Sequence, residues 1–330
     1  NKIKILYPRI EDDLKLHYES CHNLRKIIAK SKIKKKNYYG REDEIRFLIS
    51  GLQEPLKGLP LANNTACLDL GANVSGIFLR ADPVHLRADK NRVYLFDSSS
   101  FEIKVDEAVE VISKLNQFFK SDSIEFHVGI NPYRWYVKGI ESFPNDLPSP
   151  SMLNGLPLET SINNMFGYKK LKTFISEIQM ILFDLPLNKS RINNGNLPIN
   201  SLWFWGGGDF ELKFNDNSLV VTDCDIVKAC CFKSSVNLVD FDLTDFSELS
   251  LKESVANLCV GFSSLGDEKQ IARRIKFLEF LVEKYCKSRS TLIEIISNRQ
   301  IFTITFLTKF KFWKSENVFK GLGIDNNQFS

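Results

Sequence analysis

The sequence predicts an α/β protein built from mixed sheets with flanking helices. Two observations carry this. Apolar residues recur at helical spacing over 105–119 and 267–287, and short strand-like runs at 3–7, 201–205 and around 302–308 stand between such stretches. Within 65–138, strand-like, helical and paired strand-like runs follow one another, the order expected of an α/β module with a mixed sheet.

Residues 3–7 read as a first strand and 14–28 as a loosely patterned helix. The lysine run 30–36 reads as a solvated helix end or loop, and 42–52 as a helix stopped by Gly51 and Pro55. Residues 65–70 and 93–96 have strand character. The stretch 105–119 follows a helical period, and 124–128 and 135–137 are two strands around an Asn131-Pro132 turn. The proline-rich stretch 143–157 reads as a linker or long loop, which divides the chain into modules at 1–142 and 158–330. Residues 165–185 form an amphipathic helix ended by Pro186. Beyond it come strands at 201–205 and 219–222, a short helix at 226–232, the helix 267–287, a strand-like run from 302 to Trp313, and a polar tail after Gly321.

Composition bounds the function. The chain has 330 residues, 43% hydrophobic and 25% charged, ordinary for a globular protein. The net charge of +4 is small for this length and gives little support to a nucleic-acid partner, and none is expected. The lysine run lacks the arginines and interleaved aromatics that base stacking uses. No stretch reaches the ~18 uninterrupted apolar residues that cross a membrane. The seven cysteines include no Cys-x-x-Cys, so neither a disulfide framework nor a zinc site is suggested. A cytoplasmic location is the expectation.

The most informative segment runs from Pro198 through Ser201-Leu-Trp-Phe-Trp205 to Gly206, Gly207 and Gly208. A short aromatic run ending in three glycines is the pattern of a buried strand closed by a tight turn. Glycine backbone can approach a ligand there, at the carboxyl end of the strand. The other reading is a glycine turn with no ligand. Asn188, Arg191, Gly195 and Asn200 precede the strand at close spacing and favour a binding site. A second dense block holds Arg80, Asp82, His85, Arg87 and Asp89. Extended backbone would place His85, Arg87 and Asp89 on one face, either as an anion-binding ladder or as ion pairs on a solvent-facing strand. Arg134, after a proline turn, is placed to face a cleft.

These segments carry a resemblance. Glu177-Ile-Gln-Met180, Asn188, Arg191, Gly195, Pro198, Asn200 and the aromatic-glycine run, with 81–89 and Pro132-Tyr-Arg-Trp-Tyr136, resemble the bacterial RpfE-type regulatory proteins over roughly 80–210. The block at 188–208 is also similar to archaeal-type cofactor-independent phosphoglycerate mutases. Where the RpfE-type pattern carries a histidine before Pro186, this chain has Leu185, so any role for that imidazole is absent. The mutase resemblance implies a degenerate core of the alkaline-phosphatase superfamily.

Mutases of that superfamily need two metal ions held by several carboxylates and imidazoles beside a Ser or Thr nucleophile. The four histidines are His17, His22, His85 and His127, and none follows residue 127. The first strand runs into Leu-Tyr-Pro-Arg, where the mutases place an aspartate-and-glycine metal turn. Glu11, Asp12 and Asp13 read as an acidic helix start, His17 and His22 lie five apart, and no Gly-x-Ser-x-Gly or P-loop occurs. No catalytic residue, metal or cofactor is therefore expected. The expected function is non-catalytic and regulatory: binding a small phosphorylated or carboxylated anion through Asn188, Arg191, Asn200, Gly206, Gly207, Gly208, Asp82, His85, Arg87 and Arg134. A metal-dependent phosphomutase or phosphatase, and a module that binds a protein partner, are the alternatives.

Overall fold

A computed structural model describes residues 2–17, 21–35, 61–71, 76–90, 92–140, 147–158, 169–208, 218–232, 236–243, 257–263 and 266–311. They fall into two compact units, one holding the described residues up to 35 and from 218 onward, the other those from 61 to 208. The helix expected at 42–52, the stretch 165–168, Trp313 and the tail lie outside the described residues.

The chain opens in the first unit with β1 (Lys2–Leu6), α1 (Ile10–Leu16), α2 (His22–Lys30) and β2 (Lys32–Lys35). It then builds the second unit from α3 (Ala62–Leu70), β3 (Phe78–Asp89), β4 (Arg92–Phe96), α4 (Val105–Phe118), β5 (Glu125–Val128), β6 (Trp135–Lys138), α5 (Pro150–Leu153), α6 (Lys169–Asp184), α7 (Pro186–Asn193) and β7 (Ser201–Trp205). The return to the first unit supplies β8 (Ser218–Thr222), α8 (Asp225–Phe232), β9 (Asn237–Asp240), β10 (Asn257–Gly261), α9 (Glu268–Tyr285), β11 (Leu292–Ile296) and β12 (Gln300–Thr305).

The first unit carries a sheet in the order β2-β12-β11-β1-β10-β8-β9, parallel from β11 to β9 and closed at the other side by an antiparallel hairpin onto β2. β1 lies between β10 and β11, so a strand from the start of the chain is completed by residues more than 250 positions later. Ile3 and Ile5 are fully buried with Val260, Ile293 and Ile295. α9 adds Leu278, Leu281 and Val282 to that core and begins at a reciprocal cap: Asp267 accepts from Gln270 N at 2.8 Å while Gln270 accepts from Asp267 N.

In the second unit the sheet runs β4-β3-β6-β5, with β7 also on β3. β6 pairs with residues 78–80 of β3, β4 with 85–89 and β7 with 80–84, all antiparallel. Pro83 falls in the stretch that only β7 pairs, where a missing N–H costs no ladder bond on the open side. Phe119, Phe126, Phe174 and Phe204 pack ring against ring beneath this sheet.

Several expectations are corrected. Residues 62–70 form a helix, not a strand; its first six residues are all buried, so no single apolar stripe marks the helical period. The lysine run forms edge strand β2, because Lys32–Lys35 find partners at 300–303 of β12. The expected helix over 14–28 is two helices, and the run toward Trp313 leaves strand geometry after Thr305. Pro186 ends α6 but occupies the first turn of α7, where its lack of an N–H costs nothing. The units also differ from a cut at 143–157. Leu147 and Leu158 are buried, and Gly155 N and Leu158 N donate to Leu95 O and Val93 O at 2.8 and 2.9 Å. That segment covers the outer edge of β4, whose backbone groups need partners.

Candidate functional site

β7 is buried along its whole length and ends in the glycine turn. Gly206 and Gly208 take φ of +70° and +108°, values open to glycine at no steric cost. The Gly206 carbonyl accepts from Ala62 N at 2.9 Å, and Asn63 Oδ1 accepts from Phe78 N at 2.7 Å. The first turn of α3 is thereby fixed to both the glycine turn and the start of β3.

Beside this junction lies a buried network of charge. Arg80 donates to both carboxylate oxygens of Asp82, and Trp205 Nε1 donates to Asp82 Oδ2 at 2.7 Å. The Arg80 guanidinium sits 5.1 Å from the Trp205 ring and 5.4 Å from Tyr136. Burial pushes the Asp82 carboxyl up from its ordinary value, against the pull of Arg80. Arg134 Nε and the Tyr136 hydroxyl donate to Asp69 at 2.7 and 2.6 Å, so Arg134 faces a carboxylate of its own chain rather than a cleft. A Cβ at Gly129 would collide with that Asp69 carboxylate.

The polar lead-in to β7 is equally committed. Asn188 donates to Leu182 O and Ile199 O and accepts from Ile199 N, all within 2.7–2.8 Å. Arg191 donates from Nη1 to both oxygens of Glu107 at 2.7 Å, from Nη2 to Glu102 O and from Nε to Leu197 O. Asn200 donates to Leu86 O and accepts from Leu86 N, so its amide stands in for a strand residue beside β3. Each of these side chains holds backbone or a carboxylate around the loop before β7.

His85 and Arg87 are placed differently. His85 Nδ1 lies 2.9 Å from Pro198 O, and Arg87 is exposed over the Phe96 ring at 4.9 Å. Asp89 follows on the same strand, exposed at its end. Burial lowers the His85 imidazole below its ordinary value, and the nearby Arg87 charge adds to the lowering. Burial likewise lowers His127. Both rings bind a proton less readily in the folded chain. Their contribution is complete above the ordinary value of 6.5 and is lost as pH falls through the lower folded values. Replacing both with asparagine is therefore expected to make urea stability depend less steeply on pH between about 7 and 5. An unchanged slope would contradict this.

In the first unit, the carboxyl ends of β1, β8 and β10 are where an open parallel sheet binds ligands. Sequence reading missed the group assembled there. Asp223 accepts from Ser263 N at 2.6 Å and from Arg274 Nε at 2.8 Å, while Arg274 Nη2 donates to Ser263 Oγ at 2.8 Å. Arg274 and Asp223 are both almost fully buried, and a Cβ at Gly266 would lie 2.8 Å from Arg274 Nη1. Burial raises Asp223 against the pull of Arg274. Tyr7, at the end of β1, stands beside Asp13, and burial raises both. Glu11 accepts from Ser297 Oγ at 2.5 Å. A two-metal centre needs carboxylates and imidazoles converging on open positions. Here the Asp223 carboxylate is bound by a guanidinium, and no group of three or more His, Cys, Asp or Glu among the described residues is placed to hold a metal ion. The described residues at this end of the sheet do not fit that centre.

No model of a known protein family matches the chain. Among curated proteins it is similar to a probable 2,3-bisphosphoglycerate-independent phosphoglycerate mutase of Geobacter sulfurreducens, 25% identical over 182 residues, 51% of this chain and 43% of that protein. It is 22% identical over 187 residues to the 2,3-bisphosphoglycerate-independent phosphoglycerate mutase of Methanosarcina acetivorans, covering 52% of this chain and 46% of that one. The matches thus span less than half the length of these relatives. Among solved structures, the PH0037 protein of Pyrococcus horikoshii overlaps 92% of this chain and 87% of its own at a TM-score of 0.49 and 12% identity. The cofactor-independent phosphoglycerate mutase of Thermoplasma acidophilum overlaps 92% and 89% at 0.39 and 17%. The chain is an α/β protein of mixed sheets and flanking helices with a partial, low-identity similarity to cofactor-independent phosphoglycerate mutases.

Proposed function

We propose that this chain is a mutase-like protein that does not carry out mutase chemistry and instead binds a small phosphorylated or carboxylated anion. One observation carries the reading: a buried guanidinium–carboxylate pair, Arg274 with Asp223, sits beside the carboxyl ends of β8 and β10. A degenerate alkaline-phosphatase-superfamily core, a regulatory role of the RpfE type and a cytoplasmic location belong to the same proposal. The residue blocks at 81–89, 132–136 and 177–208 support the RpfE-type kinship. A second reading, a surface for a protein partner, is favoured by Met180 and Phe183, which share one exposed face of α6.

Thermal unfolding in the presence of phosphate, citrate and phosphoglycerates tests the binding reading. A ligand that binds only the folded chain stabilises it by about 2.7 kcal/mol at a hundred times its Kd. At least one of these anions is expected to raise the midpoint, increasing with concentration. No shift with any of them would overturn the reading.

A further inference from the structure

We propose that His85 and Arg87 form a surface site for a small ligand carrying an oxyanion beside an O–H donor: an α-hydroxy carboxylate, or a phosphate that retains a proton. The proposal rests on the anion-binding reading above and gives it a place and a chemistry. The Pro198 carbonyl can only accept, so His85 Nδ1 carries the proton and Nε2 presents a lone pair. Although His85 is only 9% exposed, Nε2 is not sealed inside and has no partner among the described residues. Arg87 lies two residues along the same strand. Its guanidinium makes no hydrogen bond or ion pair with the described residues and rests on Phe96, whose ring centroid is 6.2 Å from that of His85.

The contrast with the other arginines is the argument. Arg80, Arg134 and Arg191 each grip a carboxylate of their own chain, so only Arg87 among those expected to bind an anion keeps its fork available. A bare oxyanion satisfies Arg87 but repels the lone pair on Nε2. A ligand whose hydroxyl donates to Nε2 while its oxyanion accepts from Arg87 satisfies both.

The chain has four histidines, so the His85 imidazole can be followed by proton NMR in the full-length protein and identified by its loss in His85→Asn. Asparagine keeps a donor near the Nδ1 position and removes the Nε2 acceptor. At pH 7, lactate and phosphate are each titrated against a partner lacking the O–H, propionate and sulfate. Either hydroxyl-bearing ligand, or both, is expected to move the His85 signal with an affinity about tenfold above its partner's. Arg87→Ala and His85→Asn should each weaken that ligand's binding, measured by calorimetry, by about tenfold or more. Which of lactate and phosphate responds identifies the source of the oxyanion. Equal affinity for the members of each pair, or binding unchanged in both variants, would overturn the site and leave the anion-binding reading standing. No binding of any anion by the parent would overturn both.

Discussion

Replacing Arg191 with alanine is expected to destabilise the second unit by about 3–5 kcal/mol, the cost of leaving a buried charge without its partner. Arg191 is 3% exposed and ties α7 to Glu107 in the first turn of α4. The same Glu107 accepts from Lys104 N at 2.8 Å, so one carboxylate caps α4 and anchors the lead-in to β7. Three of the four tryptophans, Trp135, Trp203 and Trp205, belong to this unit, so fluorescence during urea unfolding follows it. Anion affinity of the folded variant should equal the parent's. A variant of unchanged stability with weakened binding would show that Arg191 serves a ligand after all.

A comparable loss, again about 3–5 kcal/mol, is expected in the first unit for Arg274→Ala. Asp223 already sits above its ordinary protonation range because it is buried, and Arg274 is the charge that holds it down. Without the guanidinium the carboxyl is pushed further up from its ordinary value, and α9 loses its link to the ends of β8 and β10. Hydrogen exchange at the amides of β1 and β10 reads this directly, since the global opening energy limits their protection. Exchange as slow as in the parent would mean that the pair contributes little.

What the sequence shows and what it hides divide along one line. Elements whose pattern is complete within a short stretch are legible: α9 displays its apolar stripe and its cap, and β7, buried throughout, announces itself by aromatic residues ended by glycine. Elements whose burial is decided far away are not. α3 is buried around its first turns, so its pattern has no period to read. β2 becomes a strand only because β12 lies beside it. The candidate site follows the same rule. Asn188, Arg191, Asn200, Asp82 and Arg134 are recognisable as polar residues held at special places. Their partners, however, stand as far as 123 residues away, and those partners make them anchors of the fold. The Arg274–Asp223 pair was invisible for the same reason, its members lying 51 residues apart.

Central to the proposed function is that this α/β chain does not carry out mutase chemistry. It is tested most directly by assaying the purified full chain for interconversion of 3- and 2-phosphoglycerate with Mg²⁺, Mn²⁺, Zn²⁺ and Co²⁺ supplied in turn. The expected result is no turnover above the protein-free control with any of the four. Turnover that survives repurification, is abolished by EDTA and returns with added metal would contradict the account.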